Sequence, residues 1–197
     1  MNDDFLSSVN GRRGHFKLES GHHGDLWLQL ETLCLRPRAI LPFAAQLAKR
    51  LAPYDVEVIG GPLIEGAFVA LLTASELGCE FTYAERFADP AREAMFPVEY
   101  HLPRALELAV RGRRVAIVND VISAGSAVRG TLADLQSLRA KVVVIAAPLV
   151  LGDEFVNFSR EHRIPLETLQ RVPYNLWTPQ ECPLCTAGEP LESLSNS

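Results

Sequence analysis

The chain has 197 residues, 48% of them apolar and 22% charged, with a formal net charge of −5: enough for one sizeable core, and without the basic patch of a nucleic-acid binder. No apolar run is long enough to span a bilayer. Met1–Phe5 carries Asp3 and Asp4 where a secretory leader would be basic, so neither a membrane partner nor a leader is expected, and a cytoplasmic setting follows.

The N-terminal third reads as a helix, a short β segment and a second helix. Phe16, Leu18, Leu26, Leu28 and Leu30 sit at even spacings, a strand-like alternation broken by the turn Ser20–Gly24. Pro37–Leu51 reads as a helix with Ile40, Phe43, Ala44 and Leu47 on one face, stopped by Pro53. Val56–Ile59 is a short apolar strand, after which Gly60, Gly61 and Pro62 are expected to turn the chain. Ala67–Leu77 is an apolar helix ended by Gly78, and Phe81–Ala84 a strand. Pro97–Leu102 reads as a further strand, Val115–Val118 as a fully apolar one, Ala127–Leu138 as a helix and Val142–Val150 as a long β-branched strand. Strands that alternate with helices and are apolar throughout indicate an α/β fold with a parallel sheet covered on both faces. Ligands bind at the carboxyl ends of such strands, which points to the residues after Ile59, Ala84, Val118 and Val150.

The most informative segment is VAIVNDVISAGSA, Val115–Ala127. A buried strand ends in Asn119 and Asp120, and the small residues Ser123, Ala124, Gly125 and Ser126 lead directly into a helix. Small residues let backbone amides approach an anion, and a helix N-terminus supplies unpaired N–H groups and a positive dipole end. Asp120 can accept hydrogen bonds from sugar hydroxyls. Together these describe a ribose 5-phosphate site; the plainer alternative is a strand–turn–helix in which Ser126 is a cap.

This segment resembles the phosphoribosyl pyrophosphate (PRPP) motif of the type I phosphoribosyltransferases, and the chain is most similar to their orotate phosphoribosyltransferase branch. GHFKLESG (Gly14–Gly21) resembles the segment of those enzymes that lies over the base. GGPLIEGAF (Gly60–Phe68) resembles their pyrophosphate loop, and YAER (Tyr83–Arg86) the next strand with its terminal base. The ending CPLCTAGEPLE also recurs in some members. The resemblance implies one phosphoribosyltransferase domain over residues 1–197: a mostly parallel central sheet flanked by helices, a small N-terminal hood over roughly residues 1–35, and a C-terminal tail, 173–197, packing nearby. It implies transfer of a 5-phosphoribosyl group from Mg2+–PRPP to a nitrogen heterocycle, with release of pyrophosphate, in a homodimer. Mg2+ is then the cofactor, with no dedicated protein ligands assigned. Asn119 and Asp120 would meet the ribose, and Val121 and Ile122 would lead into a 5-phosphate cradle of Ser123, Ala124, Gly125, Ser126 and Ala127. Gly61, Pro62, Glu65 and Gly66 would wrap the pyrophosphate, with Arg86 and Arg92 as cationic catalytic residues beside Asp120. Ser20, Gly21 and Trp27 would border the base.

Four positions depart from the family pattern. Position 119 is Asn where a second acid is usual, and Glu65 puts a carboxylate in the pyrophosphate loop. FADPAREAMF (Phe87–Phe96) has no lysine or histidine and only Arg92 as a base, with His101 and Arg104 as outside substitutes. Asp153 and Glu154 follow the strand Val142–Val150 where an arginine would pair the orotate carboxylate, and Glu19 adds a further acid, so orotate is expected to be a poor substrate. These departures favour a second class of function, a PRPP- or nucleotide-binding regulatory protein with reduced catalysis.

Cys182 and Cys185 form a lone C-x-x-C, and zinc needs four ligands. His162 is the nearest histidine in sequence and has no diagnostic spacing. Two reduced thiols in a C-terminal turn are expected, with no metal ligands assigned. His22 and His23 are expected to face solvent or to meet a phosphate.

Overall fold

The computed structural model describes residues 4–18, 21–88 and 98–193. Among these, the first third holds helix α1 (Phe5–Ser8), the hairpin strands β1 (Arg12–Lys17) and β2 (His23–Trp27), a 3-10 segment over Leu30–Leu35 and helix α2 (Pro37–Leu51). The middle holds β3 (Val58–Pro62), α3 (Glu65–Leu77), β4 (Glu80–Ala88), β5 (Val98–His101), α4 (Glu107–Val110) and β6 (Arg114–Val118). There follow β7 (Val121–Ile122), α5 (Ser126–Ser137), β8 (Lys141–Leu151), α6 (Glu154–Glu161) and β9 (Leu166–Val172). The C-terminal part adds β10 (Leu176–Trp177), α7 (Pro183–Thr186) and β11 (Glu192–Ser193).

Two sheets result. The central one runs β5-β4-β3-β6-β8-β7, with β9 also paired to β8, and every pairing is parallel except β4 with β5. The α/β class with a mostly parallel sheet flanked by helices is therefore as expected. Strand alternation sorts the core onto the two faces. Ile59, Ala116, Val118, Val144 and Ala146 pack with α2 and α3, while Val58, Val115, Ile117, Ile145 and Ala147 pack with Val128, Leu132 and Leu135 of α5. Pro37 starts α2 at a position where its missing N–H costs nothing, and Ile40, Phe43, Ala44, Leu47 and Leu51 bury the expected face. The second sheet, β10-β2-β1-β11, joins the N-terminal hairpin to strands from the far end of the chain.

One sequence expectation is corrected here. Gly60, Gly61 and Pro62 do not turn the chain; they are the buried second half of β3. A Cβ on Gly61 would lie 2.6 Å from the Ala70 Cβ and 2.9 Å from the Ala67 Cα, so this glycine admits α3 against the strand. The turn falls at Leu63 and Ile64. Sequence patterning also missed β7, α6 and β9. β9, LETLQRV, is only half-buried along most of its length and lacks the continuous apolar run that revealed its neighbours.

Candidate functional site

β3 and β6 are adjacent and parallel, but β3 is followed by β4 on one side and β6 by β8 on the other. The order reverses between them, which makes their carboxyl ends a topological switch point. Both strands lead there into helices, α3 at Glu65 and α5 at Ser126. Neither helix has a side-chain cap: the N-cap positions are Ile64 and Gly125. The first-turn amides of two helices at one sheet end are thus left for an anion.

The segment after Val118 is built in three steps. Asn119 donates its backbone N–H to the Ala146 carbonyl at 3.0 Å, continuing the ladder for one residue. β7 then resumes against β8 in unchanged register, with Val118 opposite Ala146 and Val121 opposite Leu149. Asn119 and Asp120 are therefore a break within one continuous line of strand, both nearly buried. Finally Gly125 takes φ +77°, and a Cβ there would fall 2.1 Å from the Phe155 ring. Only glycine meets both conditions, and the contact brings the start of α6 against the phosphate turn. Val121 and Ile122 lead into this turn as β7, Ser123 and Ala124 are half-buried, Ser126 is exposed and Ala127 lies in the first turn of α5.

Asp120 is the electrostatic centre. Burial raises its carboxyl to about 6, against the lowering effect of hydrogen bonds from its own and the Val121 N–H, and the Glu65 charge adds to the rise. Glu65, half-buried in the first turn of α3, is thus near enough for its charge to act on Asp120. Burial also raises the Cys34 thiol, with Glu65 and then Asp120 adding, so the 3-10 segment brings Cys34 toward the same carboxylates. Sequence reasoning missed Cys34, because a single cysteine in an apolar stretch carries no spacing signal.

Asn119 has a definite role. Its Nδ2 donates to the Val121 carbonyl at 2.8 Å, and its Oδ1 occupies the space where Gly66 lacks a side chain. A carboxylate in this rotamer would face a carbonyl oxygen, whereas the amide holds the turn closed. Gly61, Pro62, Glu65, Gly66, Asn119 and Asp120 thus lie together at the carboxyl ends of β3 and β6.

Arg86 stands on β4, opposite Tyr100 and two residues beyond Ala84, which pairs with Pro62. Its charge works against the burial-driven rise of the Tyr100 hydroxyl, its cross-strand neighbour. Arg92, with most of the lysine-free segment, and Glu19 and Ser20 lie outside the described residues. His101, an alternative base, is committed elsewhere: it bonds Asp134 at 2.9 Å and Glu99 at 3.0 Å, and both carboxylates raise its pKa. Gly21 takes φ +80° in the hood turn. Trp27 lies on β2 with its ring centroid 6.2 Å from that of Phe16, within the hood sheet rather than against the phosphate turn.

The acidic pair after β8 requires a correction. Asp153 and Glu154 do not stand alone: Arg171 of β9 is 2.5 Å from Asp153, and Arg129 is 3.4 Å from Glu154. Arg129 also donates to the Ala124 carbonyl and lies 4.1 Å over the Phe158 ring, so it is fixed to α6. Arg171 escaped notice because β9 was not recognised as a strand. A cavity of about 290 Å³ opens here, lined by Gly152, Asp153, Arg171, Val172 and Pro173. The hood closes one side of it, since Arg13 reaches the Pro173 carbonyl and Tyr174 packs on Gly24.

Comparison with known proteins places this architecture among named relatives. The chain is 30% identical over 179 residues to the orotate phosphoribosyltransferase of Thermotoga maritima, covering 91% of this chain and 88% of that protein. It is 29% identical to the enzyme of the same name from Caldanaerobacter subterraneus subsp. tengcongensis, over 91% and 87% of the two chains. No family model matches. Among solved structures, the orotate phosphoribosyltransferase of Mycobacterium tuberculosis aligns with a TM-score of 0.64 at 19% identity, over 86% of this chain and 94% of that one. The adenine phosphoribosyltransferase of Trypanosoma brucei aligns at 0.65 and 16%, over 85% and 77%. The two structural likenesses show a shared fold.

Proposed function

Because the chain belongs to the orotate phosphoribosyltransferase family, we propose that it transfers the 5-phosphoribosyl group of PRPP to a nitrogen heterocycle and releases pyrophosphate. The observation that supports this most strongly is the pair of uncapped helix N-termini, α3 and α5, flanking Asp120 at the switch point between β3 and β6.

The amides of the α5 first turn, with the Ser123 and Ser126 hydroxyls, hold the 5-phosphate. The α3 first turn and the Gly61–Gly66 segment hold the pyrophosphate, with Arg86 at the margin. Asp120 accepts from the ribose hydroxyls, fixing the sugar and favouring positive charge as the bond to pyrophosphate breaks. Mg2+ suits this site, since Asp120 and Glu65 offer oxygen ligands and the Glu65 charge is near enough to raise the Asp120 carboxyl. When bound, Mg2+ supplies charge neutralisation at the leaving pyrophosphate. The same Glu65 carboxylate would repel pyrophosphate in the absence of a cation.

The base fits the cavity at Gly152, under the hood. A carboxylate on that base competes with Asp153 for Arg171, so orotate is a weaker substrate here than in a site with an unshared arginine. The deciding experiment is product analysis with PRPP, Mg2+, orotate and a panel of neutral pyrimidines and purines. Failure to form any nucleotide while PRPP still raises the melting temperature would sink the transferase reading. It would favour the second one, a PRPP-binding regulator, for which Asn119 is the supporting observation.

The assembly we propose is a homodimer in the cytoplasm. Ile64, Phe68 and Leu71 form an exposed apolar stripe along α3 at helical spacing, a surface suited to a second copy. Light scattering at micromolar concentration tests it, and a monomer there would refute it. Among the described residues no helix is long and apolar enough to cross a membrane.

A further inference from the structure

Four side chains that take no part in the site above converge in the hood. His15 lies on β1, His23 on β2, Cys182 at the N-cap of α7 and Cys185 within that helix. The i, i+3 spacing of the cysteines puts both sulfurs on one side of the helical turn. His15 Nε2 is 3.2 Å from His23 Nδ1, 3.3 Å from Cys182 Sγ and 3.7 Å from Cys185 Sγ. Cys185 Sγ is 3.3 Å from His23 Nδ1, and the four ligand atoms all lie within 4.8 Å of one another. His15, His23 and Cys182 are buried, and Cys185 is at the surface.

Hydrogen bonding among the four groups explains this poorly. His15 Nδ1 stands 3.0 Å from the Glu189 carbonyl, which can only accept, so Nδ1 carries the proton and the neutral ring turns a lone pair at Nε2 toward the cluster. The groups around Nε2 would then all have to donate to one lone pair. A cation at the centre accepts from all four at once. Zn–N bonds of about 2.0–2.1 Å and Zn–S bonds of about 2.3 Å give a tetrahedron with edges of roughly 3.3–3.8 Å. The contacts of 3.2–3.7 Å match that figure before any ion is placed. The bond from His15 Nδ1 to a backbone carbonyl is also the kind of outer contact that orients a metal-bound imidazole.

We propose that His15, His23, Cys182 and Cys185 form a structural zinc site. Two imidazoles and two thiolates in tetrahedral arrangement suit zinc, and four protein ligands leave no open position for substrate or water. Binding releases both thiol protons, and the two thiolates then balance the charge of the ion, as a largely buried centre requires. On this reading the two reduced thiols expected in a C-terminal turn become metal ligands, and the second ligand pair comes from far along the chain, 167 residues away from Cys182 at His15. The ion ties α7, and the β11 strand beyond it, to the hairpin that covers the base cavity. Closing so long a loop stabilises the native hood against a flexible unfolded chain.

The test uses the full chain, expressed with zinc and purified without chelator, followed by metal analysis and cobalt substitution. One equivalent of zinc per chain is expected. The cobalt form should show the intense visible bands of tetrahedral coordination with a thiolate charge-transfer band, and chelation should lower the melting temperature and expose two thiols to a thiol reagent. The Cys182→Ser, Cys185→Ser double variant should lose the cobalt bands. Substoichiometric zinc, stoichiometric iron in its place, a Cys182–Cys185 disulfide in the fresh protein, or an octahedral cobalt spectrum would each overturn the proposal. The cobalt spectrum of the unmodified chain decides the matter even if the variant fails to fold.

Discussion

The Asn119–Ser126 turn and the hood cluster each gather polar groups into one place, but they are assembled in opposite ways. The turn is one run of chain, Asn119–Ser126, whose every residue lies within a few positions of the next. The cluster takes two ligands from the first two strands and two from α7. A local site is specified by a strand, a break and a helix start. A distributed site exists only once the sheet β10-β2-β1-β11 has formed. Loss of a polar group of the first should therefore abolish chemistry and spare the fold, whereas damage to the second should loosen the fold and alter chemistry only at the base end.

The largest effect is expected at Asp120. Asp120→Asn should reduce phosphoribosyl transfer by about 100-fold or more, in the range of losing a key transition-state contact. It should also make the unliganded protein more stable at pH 8. The sign follows from the carboxyl being raised to about 6 in the folded chain. Its favourable contribution is complete below its ordinary pKa of 3.8 and is lost as pH rises through 6, so that ionised Asp120 costs as much as about 3 kcal/mol. Denaturant melts of both proteins at pH 5 and pH 8 check this; a variant no more stable than the parent at pH 8 would show that the burial argument is wrong.

Next comes Gly125→Ala. The φ of +77° and the Phe155 ring 2.1 Å from the added carbon should together cost about 2–4 kcal/mol and weaken protection by inorganic phosphate. Unchanged stability would mean that Phe155 moves freely and that the turn is less tightly set than it looks. Removing the proposed hood zinc with a zinc-selective chelator, in excess Mg2+, should act in the opposite pattern, raising KM for the base several-fold while leaving PRPP protection nearly intact. Equal loss of both would merge the two regions into one cooperative unit. The smallest effect is expected for Asp153→Asn. It frees Arg171 and should raise turnover of orotate relative to a neutral base by a few-fold, because an exposed ion pair contributes little.

The same contrast decides what could be read in the sequence. β6 and β8 are continuous apolar runs, and helix α2 was recognised to its last residue because its apolar stripe and Pro37 agree. The PRPP turn was legible because strand end, polar pair, small residues and helix are consecutive. Arg171 was not, because β9 alternates weakly and only strand pairing with β8 brings it to Asp153. Gly61 was misread because a glycine that admits a helix has the same letter as one that turns a chain. His15 gave no signal, and His23, expected to face solvent or to meet a phosphate, is buried against it, because their spacing from Cys182 reflects the hood sheet and not a local motif.

The order of the hood sheet also bears on how the protein is made. β1 and β2 precede the central sheet in the chain, whereas their outer partners β11 and β10 follow it. The central sheet up to β9, with its phosphate turn, can form while the hairpin still waits for both neighbours. From the emergence of β2 until that of β10 and β11 the hairpin therefore has two unpaired strand edges. The cover over the Gly152 cavity is completed only after the central sheet.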